Sequence, residues 1–235
     1  MLKKILWSVI VIIVGGLLYF VAWPVPIDPV AWEAPPNPGY TGAFAVNGRL
    51  KGLETLPIAG NHGPEDIAVD SQDRIYAATH EGRIVRLNAD GTNPQNWVNT
   101  KGRPLGIDFD SKGNLIVADA FRGLLSIAPD GTVTELAVVA DGVPIRYADD
   151  VDVAADGKIY FSDASTKFGA KDWGGTYEAS LLDINEHGGH GRLLVYDPAG
   201  SYPINTSVTE TKDYLYIGSL VAPVLARLKK EKIGL

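Results

Sequence analysis

A unit of about forty residues recurs along this chain and limits the folds open to it. Residues 63–91, 103–131 and 149–200 can be laid over one another, and a shorter fourth copy runs over residues 205–228. Each reads strand, Asp/Gly turn, strand, Gly turn, strand. The pairs Ile75-Tyr76, Leu115-Ile116, Ile159-Tyr160 and Leu215-Tyr216 mark the same inner strand in each copy, at steps of 40, 44 and 56 residues. A period near forty built from several short strands is the mark of a β-propeller blade. Such a unit has two apolar faces and buries them only against neighbouring blades. The expected fold is all-β, a propeller of about four blade units over residues 43–235.

Ahead of the repeats, residues 5–23 carry no charge. Nineteen helical residues span about 28 Å, close to the roughly 30 Å of a bilayer's hydrocarbon core. Lys3 and Lys4 precede this run and no Lys or Arg follows until Arg49. The positive-inside bias then places the N-terminus in the cytoplasm and the repeats on the periplasmic or other extracytoplasmic side. Trp7, Tyr19 and Trp23 lie near the two ends, at headgroup level. A cleaved signal peptide is the competing reading. The length of the run, and Ala22-Trp23-Pro24 in place of a small-x-small site, favour an uncleaved anchor over residues 1–23. Residues 24–42 hold six prolines up to Pro38 and read as a semi-rigid linker, a spacer between membrane and domain.

The 28 acidic against 21 basic side chains give a net charge of −7, and no basic stripe stands out, so nucleic acid is not an expected partner. With no cysteine, disulfides and thiolate zinc sites are excluded and the redox compartment stays open. The long last step of the repeat comes from an insertion, residues 165–190, between two strands of the third copy. Within it, residues 177–185 have the composition of a short helix, with Leu181, Leu182 and Ile184 available to pack. Gly169, Gly174 and Gly175 make the earlier part loop-like. Long insertions of this kind serve as pocket walls or as surface caps.

The segments Gly102-Arg-Pro-Leu-Gly-Ile107, Val117-Ala-Asp-Ala-Phe-Arg-Gly-Leu124, Asp149-Asp-Val-Asp-Val153, Tyr160-Phe-Ser-Asp-Ala-Ser-Thr166, Gly191-Arg-Leu-Leu-Val-Tyr-Asp-Pro198 and Leu215-Tyr-Ile-Gly-Ser-Leu220 resemble, in order, the strictosidine-synthase-like group. That group includes adipocyte plasma membrane-associated protein, and its wider relatives are gluconolactonases, paraoxonases and diisopropylfluorophosphatase. The resemblance implies a six-bladed calcium propeller. This chain departs from it: Tyr196-Asp-Pro-Ala-Gly200 looks like the close of blade three and residues 207–220 like the close of blade six, joined near Gly200-Ser201. Blades four and five are thus expected to be missing. A gap of that kind exposes blade faces and strand edges and invites self-association.

In the family, polar residues from several blades bind calcium in the central channel, and a hard cation of this kind takes six to eight oxygens. The resemblance places Glu65 and Asp149 at two of the ligand positions; the other two fall in the missing blades. Glu65 and Asp149 also precede strands, where acidic residues commonly fill turns. Asp119, Asp150, Asp152 and Asp163 are expected in turn or inter-blade hydrogen bonds. His62, two residues before Pro64, is a candidate base for hydrolysis or a plain turn residue. His187 and His190 are spaced by two glycines, and a loop role is favoured over a metal site. Aligning on Leu215 puts Thr206 where strictosidine synthase has its catalytic Glu. Thr cannot take the amine's proton, so condensation is not expected. Asn205-Thr-Ser207 is a formal glycosylation sequon, relevant only in a eukaryotic secretory pathway. Two functions remain open: a membrane-anchored, calcium-dependent hydrolase of lactones or aryl esters, impaired by the missing blades, and a non-catalytic propeller scaffold or degenerate copy.

Overall fold

The computed structural model of the protein describes residues 2–198 and, beyond them, the backbone of three strands. Helix α1 (Leu2–Ala22) is long and apolar enough to cross a membrane, and an N-terminal helix of this kind is either an anchor or a signal sequence. Among the described residues no strand precedes Ile67. The strands then form antiparallel sheets in sequence order. The first blade is β1 (Ile67–Val69), β2 (Ile75–Ala78), β3 (Arg83–Leu87) and β4 (Gln95–Asn99). The second is β5 (Pro104–Phe109), β6 (Leu115–Asp119), β7 (Gly123–Ile127) and β8 (Val133–Ala137). A two-residue-per-strand hairpin, β9 (Val139–Ala140) and β10 (Val143–Pro144), leads to the third blade, β11 (Ala148–Val153), β12 (Ile159–Asp163) and β13 (Arg192–Tyr196). A fourth sheet pairs β14 (Asn205–Glu210), β15 (Tyr214–Ser219) and β16 (Ala226–Lys229).

Each repeat is thus one sheet, and the four anchor pairs fall in β2, β6, β12 and β15, the second strand of each. The outer strands β4 and β8 of the first two blades go beyond the three-strand repeat unit. Their side chains are mostly exposed or half-buried, so neither shows the apolar alternation that marks a strand in sequence. The Gly200-Ser201 junction lies outside the described residues. So do the side chains of Asn205 and Thr206, whose backbone belongs to β14.

Successive blades pack through their inner strands, β1 beside β5 and β5 beside β11. Between blades one and two lie Tyr76, Ile84, Val98, Ile107, Leu115, Val117, Leu125 and Ile127. Between blades two and three lie Ile116, Leu124, Val151, Ile159 and Phe161. Each such side chain contributes about 1.5–3 kcal/mol on full burial. The approach of β5 to β11 requires Gly106: a Cβ there would sit 2.6 Å from the Asp150 Cα.

Two aspartates stitch the blades together. Asp66 accepts from the Ile107 amide of the next blade at 2.8 Å, and Asp108 from the Val153 amide of the third at 2.9 Å. The residues expected in this role divide differently. Asp119 accepts from the Arg103 and Phe121 amides, and Asp163 from the Arg146 and Tyr147 amides and the Arg192 guanidinium, so both brace their own blade. Asp150 accepts from the adjacent Val151 amide, and Asp152 is exposed.

The insertion folds as expected into a loop and helix α2 (Thr176–Glu186), started after Gly175 and ended by His187 in a left-handed conformation. Its docking face differs from the one expected. Ala179 and Glu186 are buried and Leu182 packs inward, whereas Leu181 and Ile184 face solvent. The Tyr147 hydroxyl holds the helix, within 2.8 Å of both the Thr176 carbonyl and the Ser180 hydroxyl. Part of the Pro-rich segment is docked there too. The Asp28 amide donates to Glu186 Oε1 at 2.8 Å, the Val30 amide to the Asn185 carbonyl at 3.0 Å, and Ile27 packs on the Leu105, Tyr147 and Phe168 cluster.

Candidate functional site at the bulged inner strands

The inner strands share a local irregularity. In β5, Leu105 and Gly106 together oppose one residue of β6, and in β11 Asp149 and Asp150 together oppose one of β12. In the first blade the Glu65 amide donates to the Ala78 carbonyl while the Ala78 amide donates to the Asp66 carbonyl, so the same two-against-one arrangement falls at Glu65-Asp66. A β-bulge bends the strand and re-aims a side chain. Glu65, Leu105 and Asp149 therefore occupy one equivalent position in three successive blades.

Two of these three are carboxylates, and neither makes a side-chain hydrogen bond among the described residues. Burial raises the Glu65 pKa above the usual carboxylate value, and the negative charge of Asp149 raises it further. Burial also raises that of half-buried Asp149, helped by Asp150. Leu105, buried, breaks the polar series. Behind them lies Arg103, only 8 % exposed, whose Nη1 donates to the Pro104 carbonyl at 3.0 Å while its Nε has no hydrogen-bond partner. Burial pulls its guanidinium below the usual value, and the charges of Glu65, Tyr147, Asp119 and Glu81 oppose that shift. Arg103 therefore stands within electrostatic reach of all four.

His62 is tied to this group through Glu81, a pairing not foreseen from the sequence. Its Nδ1 lies 2.7 Å from Glu81 Oε1, and its backbone amide donates to Oε1 at 3.1 Å and to Oε2 at 3.0 Å. These bonds hold the Glu81 carboxyl down to about 2. The imidazole is thus oriented through Nδ1, with Nε2 left toward solvent. His190, by contrast, belongs to the insertion. It lies 2.6 Å from Asp183 through Nδ1, beside Glu186, which also binds Lys167. His187 caps α2.

Among the described residues no three His, Asp or Glu side chains converge as a metal site. Glu65 and Asp149 suit a hard cation in kind: they are carboxylates without partners, and each is disfavoured as an anion by burial. In number they fall short of the six to eight oxygens that calcium takes.

Blades stacked through bulged inner strands define a propeller-type β protein. By sequence it is similar to the strictosidine synthase-like proteins. Residues 42–87 match the family described as strictosidine synthase-like, N-terminal. Strictosidine synthase-like 7 of Arabidopsis thaliana is 42% identical over 155 residues, covering 63% of this chain and 40% of that protein. Adipocyte plasma membrane-associated protein of Rattus norvegicus is 32% identical over 188 residues, 73% of this chain and 48% of that protein. The chain thus spans less than half the length of either relative. Among solved structures, a gluconolactonase of Xanthomonas campestris superposes with a TM-score of 0.47 at 17% identity, over 70% of this chain and 57% of that one.

Proposed function

We propose that the bulged inner strands carry part of a calcium-dependent hydrolytic centre for lactones or aryl esters, on a membrane-anchored propeller. The observation that supports this most is the meeting of two partnerless carboxylates, Glu65 and Asp149, with the buried cation Arg103. Glu65 and Asp149 would hold the ion, and calcium, when bound, supplies a Lewis acid for a carbonyl oxygen. Arg103, buried with its Nε unpaired, places a positive charge close to Glu65, where its field would favour the negative charge that develops on an ester oxygen. His62, fixed through Nδ1 by Glu81, offers Nε2 as the base that takes a proton from attacking water. Leu105 and the α2 cover limit water on one side.

The test is hydrolysis of phenyl acetate and of a δ-lactone by the full chain in detergent, with calcium and with chelator, beside E65Q, D149N and H62N. The reading requires chelator-sensitive turnover that falls at least tenfold in each variant. Absent turnover, or turnover indifferent to E65Q and D149N, would sink it. The anchor part of the proposal, with the N-terminus cytoplasmic, is checked by N-terminal sequencing of membrane fractions and protease shaving. A mature chain starting after residue 23 would overturn it.

The exposed apolar face of blade three favours a second reading, a scaffold that works by self-association. Tyr160, Leu193 and Val195 are 41%, 77% and 56% exposed. Sedimentation of the full chain beside L193E separates the readings: a dimer lost on substitution supports association, and a monomer in both removes it.

A further inference from the structure

The described structure has a cleft apart from the bulged inner strands. It lies between the outer strand β8 of blade two, the β9–β10 hairpin and the insertion loop, with a volume of about 650 Å³, and neither Glu65 nor Asp149 lines it. Its walls are of two kinds. Phe121, Val133, Val138 and Ile145 give an apolar surface, and Lys101, Arg122 and Lys171 bring three cations against the single carboxylate of Glu135. Arg122 is already committed. Its Nη2 lies 2.8 Å from Glu135 and its Nη1 donates to the Thr100 carbonyl, so this pair contributes little net charge. Lys101 and Lys171 have no side-chain partner among the described residues. Lys101 is also held in place: its amide donates to Asn99 Oδ1 at 2.8 Å, and its backbone sits in the left-handed region.

Two unpaired ammonium groups over an apolar floor stand out on a chain of net charge −7. A ligand pocket of this size suits a small organic molecule, and its few polar groups fix which one. Lysine neutralises an anion as a point charge, without the planar geometry that Arg would impose. We propose that this cleft binds an amphipathic monoanion, a carboxylate or sulfonate on an aryl or short alkyl body, with the anionic group between Lys101 and Lys171 and the body on Val133, Val138 and Ile145. The site stands independently of the hydrolytic reading, because its residues and charges are separate.

The test is calorimetric titration of the full chain in detergent micelles with 2-naphthoate and with neutral 2-naphthamide, repeated on K101E/K171E. Partition into micelles is common to both chains, so the difference between them reads the cleft. The expected result is naphthoate binding at least about fivefold tighter to the wild-type chain, weakened by salt as partly exposed ion pairs are. Naphthamide should bind the two chains alike, and I145S should weaken both ligands. The proposal is overturned if naphthoate binds both chains equally, or if the amide binds the wild-type chain as tightly as the acid. Equal thermal midpoints for the two chains exclude misfolding as the cause of a loss.

Discussion

Blades two and three are written in the same repeat pattern and have different surroundings. In blade two every residue of β6 is buried, because the first blade covers one face and the third the other. In blade three the face toward blade two is closed by Val151, Ile159 and Phe161, while Tyr160, Leu193 and Val195 on the opposite face stay exposed. The aspartates follow the same division. Asp66 and Asp108 reach across to the next inner strand, whereas Asp150 and Asp152, at the equivalent positions of blade three, reach no further strand among the described residues. A repeat encodes two apolar faces per blade, and only its neighbours decide which of them contributes to stability.

The largest test of this contrast is a pair of truncations. Leu125→Ala, between blades one and two, should cost about 2–5 kcal/mol, while Leu193→Ala should stay within about 0.5 kcal/mol. Urea unfolding of the full chain in detergent measures both, and equal costs would show the outer face of blade three to be covered. Next, Gly106→Ala should cost about 1–3 kcal/mol, because its methyl must displace β11 backbone; an unchanged midpoint would mean that β5 and β11 are not in close contact. Asp66→Ala removes the bond that joins two blades and should cost about 1–2 kcal/mol, with faster hydrogen exchange at the Ile107 amide. Asp152→Ala should do neither.

The smallest effect concerns the two carboxylates at the bulges. Glu65 and Asp149 both titrate above the ordinary carboxylate value in the folded protein. The folded state therefore holds their protons more tightly. The resulting stability is fully present below about pH 4, the unfolded value, and is lost as pH rises through the raised folded values. Thermal scans from pH 3 to 8 in chelator should show E65Q/D149N more stable than the parent at pH 7, with the gap closing by about pH 3. A parent chain that gains stability as pH rises through this window, relative to the variant, would contradict the raised values.

The repeat was legible because the positions that carry it, such as Leu115-Ile116 and Ile159-Tyr160, are set by local alternation and by Asp/Gly turns. Helix α2 was legible from composition. Its buried face was not, because Glu186 is buried by contact with Lys167 and the Asp28 amide, partners distant in sequence. The candidate site divides in the same way. Glu65 and Asp149 stood out beside a family pattern, yet their shared bulge is a feature of strand pairing. A closer reading of the repeat register, which puts Leu105 level with both, was the available signal. Glu81, nineteen residues from His62, carried none. The cleft at Lys101 and Lys171 is likewise assembled from separate segments.

The docking of Ile27 and Asp28 beside α2 changes what the Pro-rich stretch does. A free spacer would act as a leash, letting the domain tumble through a wide volume. Only four residues separate the end of α1 at Ala22 from Ile27, at most about 17 Å of extended backbone. With α1 fixed in a bilayer, the propeller would pivot on a short stalk instead, and the surface bearing α2 would always be the one turned toward the lipid.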